Sequence, residues 1–331
     1  MKPYLAICHT PYQVLVETLR AFEADGCPDL ILSNSVPDAE ALAQRLSASG
    51  VFGSVCVFDE KGCGSAKQTG FWRTLLLQKL LGLRLVEKQA GFSIPKNQYK
   101  TIYIHNDWSI LGQYLQDKGL SYVLCEDTMA STCKPEGHSL ITEQRAAPHF
   151  KLMQKLGAGY LYWGDWKGVA GIETEDRAKC TVETQKPLIE DSKRARFARI
   201  TEEQKQLILK IFLTDPLPDN AENATLFLPR DFVADGLLSE EEQTAIFAAV
   251  AKHFCTSGPL FVKTHPRDPF DYRTLFPDAV ILQRTMPSEI LNFCLPFRFA
   301  RAVTVESTVL LGFEAADEKL HLTLKEARAL V

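Results

Sequence analysis

The sequence predicts an α/β protein of two doubly wound domains joined by a polar segment, and three observations carry that prediction. Short apolar runs alternate with amphipathic stretches through almost the whole chain. Each run ends in polar or charged residues. The pattern stops in a charged, weakly periodic interval and then starts again. Strands separated by helices imply parallel pairing, because a parallel strand needs a crossover to reach its neighbour. A length of 331 residues suits two ordinary domains.

Tyr4–Cys8 is a compact apolar run, with Thr10 as N-cap and Pro11 at the first position of the next helix. That helix is expected over Tyr12–Ala24, with Val14, Leu15, Thr18, Leu19 and Phe22 at helical spacing. "DLILSN", "SVCVFD", "KTIYIHND" and "SYVLCED" each read as a strand ending in polar residues. Helices are expected between them over 38–48, 71–83 and 108–118. This first Rossmann-like domain is placed at 1–165, and 166–200 is read as connecting structure. The basic part of that segment, "SKRARFAR", reads as a solvated face, with a lipid-headgroup contact as the alternative.

The second domain, 201–331, repeats the style. Thr201 and Gln204 form a capping box ahead of Leu207, Ile208, Ile211 and Phe212. "ATLFLPRDF" is a strand, and Ser239 with Glu242 caps a helix that sets Ile246, Val250 and Phe254 on one face. "PLFVKTHPRD" and "AVILQR" are strands and "PSEILNF" is a helix. "ARAVTVESTVLLGFEAA" reads as a strand, a Ser-Thr pair and a helix.

Composition narrows the class. Hydrophobic content of 46% with 24% charged residues is that of a soluble globular protein. A formal charge of −4 argues against a non-specific nucleic-acid binder. No apolar run approaches the roughly 18 residues of a spanning helix, and the amino-terminal run is too short for a convincing signal peptide. Nine cysteines without CxxC spacing, several inside apparent strands, suit buried hydrophobes in a reducing cytoplasm.

Ligands of open α/β sheets bind beyond the carboxyl ends of the strands, and here those ends carry polar groups. They are Asn106-Asp107, Glu126-Asp127, Lys263 through His265, Glu289 and Ser307-Thr308. Each also has an ordinary structural reading. An acidic pair at a strand end is commonly a polar loop, His265 before a proline is commonly a backbone hydrogen-bonder, and Ser307-Thr308 is commonly an N-cap. A hydroxyl-bearing helix start is also an anion site. His9 and His105 read as local hydrogen-bonders, while Trp108, Trp163 and Trp166 read as packing residues or a sugar platform. The sequence has no Walker A loop, no G-x-G-x-x-G, no D-x-D, no H-E-x-x-H and no G-x-S-x-G. A phosphate here would be neutralised by protein groups, with His265, Lys263, Arg267 and the Ser307 helix end as candidates.

In order and spacing, Glu126-Asp127, His265-Pro266, Glu289 and Ser307-Thr308 resemble the motifs of bacterial sialyltransferases. "ICHTPYQ" and "PHFKLMQKLGAGYLYWGDW" look most like glycosyltransferase family 52, which includes lipooligosaccharide sialyltransferases. The resemblance implies a GT-B fold, two Rossmann-like domains facing each other across a cleft. It implies inverting transfer of sialic acid from CMP-sialic acid to a terminal galactose of a surface glycan, without cofactor or metal. Glu126 or Asp127 would be the general base and His265 would meet the departing phosphate. Lys263, Pro266, Arg267, Glu289, Ser307 and Thr308 would bind donor, and Thr10, Gln13, Asn106, Asp107 and Trp108 acceptor. Thr128 stands where the family pattern has glycine, so a shifted turn is expected there. Further partners kept in view are the cytoplasmic face of the inner membrane and a second copy of the chain; nucleic acid is not among them. A UDP-sugar transferase, a sugar-nucleotide epimerase and a non-catalytic carbohydrate-binding relative remain alternatives.

Overall fold

The computed structural model describes the chain except residues 68–85, 89–92, 135–141, 144, 149–150, 153–160, 215–216, 219–220, 256–257 and 266–267. It forms two compact units, Met1–Thr201 and Glu202–Val331. Each is built on one parallel sheet. The helix expected over 71–83 lies outside the described residues.

The first sheet has seven strands: β1 (Lys2–Cys8), β2 (Asp29–Ser33), β3 (Ser54–Phe58), β4 (Tyr99–Ile104), β5 (Tyr122–Leu124), β6 (Val169–Thr174) and β7 (Leu188–Glu190). Their order is β3-β2-β1-β4-β5-β6-β7, so the winding reverses between β1 and β4. That is the switch point where such sheets bind ligands. Tyr4 to Cys8 are buried throughout, as a central parallel strand covered on both faces requires. The helix Pro11–Phe22 starts on a full capping box, with Thr10 accepting from the Gln13 amide and Gln13 reaching back to the N-cap. Leu5, Ile7, Ile104, Leu111, Tyr122 and Ile172 lie in the core of this unit.

The stretch 166–200 is not a linker. It supplies β6, β7 and the helix Lys193–Arg199, and the division between units falls after Thr201. Its charges disguised it. Glu173 and Lys193 are fully buried in ion pairs, so residues that read as solvated are interior. In "SKRARFAR" Arg194 and Arg199 keep a solvated face, while Lys193 and Phe197 are buried.

The second sheet has five strands: β8 (Thr225–Leu228), β9 (Leu260–Lys263), β10 (Val280–Leu282), β11 (Phe299–Val305) and β12 (Ala316–Leu322). In the order β10-β9-β8-β11-β12 the central strand is β8, flanked by β9 and β11. The Ser239–Glu242 capping box forms as expected and starts the helix Glu240–Phe254. Phe227, Phe232, Phe247, Val262 and Val303 pack the core. β12 escaped the sequence reading because Asp317, Glu318 and Lys319 are exposed on it, as charges on an edge strand commonly are. After the Ser-Thr pair comes a five-residue 3₁₀ turn, Thr308–Gly312, in place of the expected helix. Among the described residues no helix is long and apolar enough to cross a membrane.

Candidate active site

In the first unit, register sets three strand ends level. Ile7 pairs with Ile104, and Ile104 with Leu124, so the residues beyond β1, β4 and β5 emerge together. A pocket of about 230 Å³ opens there, with Asn106, Trp108, Glu126, Asp127, Thr132 and Trp163 in its walls.

Glu126 is 2% exposed. Its Oε1 accepts from the Thr132 amide at 2.9 Å and from the Thr132 hydroxyl. Its Oε2 has no hydrogen-bond partner and lies 4.0 Å from Lys193 Nζ. Burial raises the Glu126 pKa, against lowering by the Thr132 hydrogen bonds and by Lys193. Glu126 thus has one oxygen fixed by Thr132 and a buried second oxygen without a hydrogen-bond partner.

Asp127 is exposed and tied down, its Oδ1 accepting from Gln13 Nε2 at 2.6 Å. Gln13 Oε1 meanwhile accepts from the amides of His9 and Thr10. Thr10 and Gln13 therefore act as a helix cap that reaches the acidic pair, a link the spacing of the sequence does not reveal. Thr128 avoids the left-handed region, and Ala130 adopts it instead with φ 55°. The 3₁₀ turn Ser131–Cys133 then returns Thr132 to Glu126.

Behind Glu126 lies a buried set of charges that sequence reasoning missed. Arg20 donates to Glu17 at 3.0 Å, to Glu173 at 2.8 Å and to Asp191 at 3.2 Å. Lys193 Nζ lies 3.3 Å from Glu173 and 3.1 Å from Asp191, and Arg196 donates to Asp191 at 2.6 Å. His105 bridges this set to the site, with Nδ1 2.7 Å from the Glu126 carbonyl and Nε2 3.0 Å from Glu17. A carbonyl only accepts, so Nδ1 donates, and a proton must also lie between Nε2 and Glu17. Burial opposes ionisation of Glu17, yet Arg20 and His105 outweigh it and hold that carboxyl below its usual range. The available signal was charge at core spacing: Glu17 and Arg20 follow Val14 at intervals of three on the buried face.

The other expected acceptor positions diverge. Asp107 is 1% exposed and accepts from the amides of Trp163 and Gly164 and from the Tyr122 hydroxyl. Burial pushes its pKa up to about 6 against those bonds. It holds the left-handed turn at Trp163 (φ 60°) and Gly164 (φ 80°). Asn106 accepts from the Trp108 amide. Trp108 is half exposed and lies 5.1 Å from Trp163, ring to ring, in the pocket wall. Trp166 instead stacks on Tyr122 against the core.

In the second unit, His265 comes after the end of β9, exposed, and Ser307 after β11, on the other side of β8. Ser307 accepts from the Val309 amide, and one 3₁₀ turn behind it offers little macrodipole. Glu306 before it is held at φ 48°. Lys263 is not presented to solvent. It is buried, with its ammonium donating to the Thr264 and Arg284 carbonyls, so it ties the ends of β9 and β10 together. Burial lowers its pKa to about 8, opposed by Glu289, which is itself half-buried. A pocket of about 320 Å³ at these ends is lined by Thr264, Gln283 and Arg284. Pro266 and Arg267, and the side chain of Thr308, lie outside the described residues.

Glu17, His105 and Cys125 are the metal-capable grouping of three among the described residues. All three are buried, and Glu17 and His105 already bond each other.

The two parallel α/β units have a fold of the GT-B type. Glycosyltransferase family 52 matches residues 190–325, the stretch holding His265, Glu289 and Ser307. A Haemophilus influenzae protein without an assigned activity is 32% identical over 79 residues, 24% of this chain and 25% of that protein. The chain thus aligns with about a quarter of that relative's length. Among solved structures, an alpha/beta-galactoside alpha-2,3-sialyltransferase from Photobacterium phosphoreum superposes with a TM-score of 0.50. It is 12% identical and the match covers 99% of this chain and 94% of that one. The sequence match lies mostly in the second unit, and the likeness of fold runs along the whole length.

Proposed function

We propose that the chain is an inverting sialyltransferase that moves sialic acid from CMP-sialic acid to a terminal galactoside of a surface glycan. The observation that carries the reading is Glu126, buried in a pocket wall with Oε2 unpartnered. It is favoured over Asp127 as base because Asp127 is exposed and engaged by Gln13. In the transfer the Glu126 carboxylate takes the proton of the acceptor hydroxyl. The freed oxygen bonds the anomeric carbon, whose bond to the phosphate oxygen breaks, and the electron pair leaves with CMP. Positioned base catalysis supplies roughly 10²–10⁴-fold.

His265 gives a proton or hydrogen bond to the departing phosphate, where charge grows in the transition state. Glu289 accepts from ribose hydroxyls, and Ser307 and Thr308 donate to the phosphate. Lys263 contributes by fixing the loops that carry its neighbours. The absence of D-x-D from the sequence fits a donor with a single phosphate, which needs no diphosphate-binding metal. The activity for which the Photobacterium protein is named points to the same donor class.

The test is CMP release from CMP-sialic acid with a lactose-type galactoside, with and without EDTA. Release that requires acceptor and survives EDTA is expected. Consumption of UDP-sugars instead, or silence with every nucleotide sugar, would overturn the donor assignment.

A further inference from the structure

Glu126 faces a contradiction that the transferase reading alone does not resolve. A base must be ionised near neutral pH, yet this carboxyl is 2% exposed and its Oε2 accepts no hydrogen bond. Burial by itself favours the neutral acid. The groups around it are mixed in sign. From its own loop come Asp127 and Thr132, from the end of β4 His105, and from the first helix Glu17 and Arg20. From β6 and its end come Glu173 and Glu175, and from just past β7 Asp191. Among the described residues the cation paired with Glu126 itself is Lys193, 4.0 Å from the open Oε2.

We propose that Lys193 is a positioning residue for the transfer, holding the Glu126 carboxylate charged while leaving the lone pairs of its Oε2 unengaged. The inference rests on the reading of Glu126 as base. The distance is what makes the device work. At 4.0 Å the ammonium attracts the carboxylate without spending the lone pair that must take the proton. The ammonium cannot close that gap freely, because Glu173, Asp191 Oδ2 and the Asp191 carbonyl hold it from the other side. Ser192 N-caps its helix, and the Lys193 amide donates to Glu175, which fixes the backbone as well.

Lys193→Gln keeps a hydrogen-bond donor in place and removes the charge. The acid limb of its kcat/KM profile should move up by about one pH unit or more, so that activity lost at neutral pH returns in alkali. Lys193→Arg should restore the wild-type midpoint. Glu173→Gln removes a neighbouring negative charge and should move the midpoint down, which keeps the test alive if Lys193→Gln does not fold. A ¹³C NMR titration of the Glu126 carboxyl, assigned by its loss in Glu126→Gln, reads the same shifts without turnover. A folded Lys193→Gln with wild-type midpoints in both measurements would overturn the proposal. Wild-type protein inactive on every nucleotide sugar, with the NMR shifts as expected, would sink the transferase reading and leave the coupling standing.

Discussion

The two sheets present their strand-end groups in opposite ways. In the first unit Glu126, Asp107 and His105 near the pocket are buried, and Glu126 Oε2 lies among them without a hydrogen-bond partner. In the second, His265 is exposed, and Glu289 and Ser307 are half-buried at the sheet's end. A fixed, desolvated group is what proton abstraction needs, because it acts without reorganising when the reaction occurs. One unit buries the charge at its strand ends and the other leaves its imidazole at the surface.

Removing the central group on each side breaks this comparison with the largest effect. Glu126→Gln is nearly isosteric and should lower turnover by about 10²–10⁴-fold while donor KM and thermal stability stay close to wild type. His265→Ala should also cost orders of magnitude in turnover and leave the fold intact, since its side chain is exposed. Steady-state kinetics beside a thermal melt separates the two cases. Near-normal turnover in either variant removes that residue from the mechanism.

Stability sharpens the same contrast. Arg20→Met removes the one buried cation that Glu17, Glu173 and Asp191 all share, and removing one member of a buried pair costs about 3–5 kcal/mol. Arg230 pairs with Asp235 in the second unit at a site where both are about two-fifths exposed. Arg230→Met should therefore cost under about 1 kcal/mol. Urea unfolding of both variants gives the ratio directly, and equal losses would mean the first cluster is far wetter than its geometry suggests.

This contrast also explains what could be read from sequence. Alternation of apolar runs and capped helices is local, so β1 through β5, the Thr10 and Ser239 caps and the parallel class were legible. Glu126 stood out because strand ends are where α/β sheets do chemistry. The partners of Glu126 were not legible, since His105 and Lys193 meet it only through tertiary packing, with Arg20 and Glu173 bonded behind them. The run from 166 to 200 misled for the same reason, as charge is a sign of solvent only when no buried partner exists. Lys263 misled in the other direction. Its place beside His265 suggested a ligand contact, but its length lets the ammonium fold back onto two carbonyls.

The smallest expected effect tests whether the first unit's pocket is shaped for a sugar as well as for a proton. Trp163 is held rigidly, its amide and that of Gly164 both donating to buried Asp107. Trp108 leans on it with half its surface in solvent. Trp108→Ala forfeits one aromatic contact, about 0.5–1.5 kcal/mol beyond lost area, and should leave Glu126 and its network untouched. If the exposed ring is a platform for the acceptor, galactoside KM rises several-fold while kcat and donor KM stay put. If the pair serves packing alone, only the melting temperature falls. The split matters because it separates the two tasks of the pocket: Glu126 would set the rate of proton removal, and the tryptophans would decide whose proton it is.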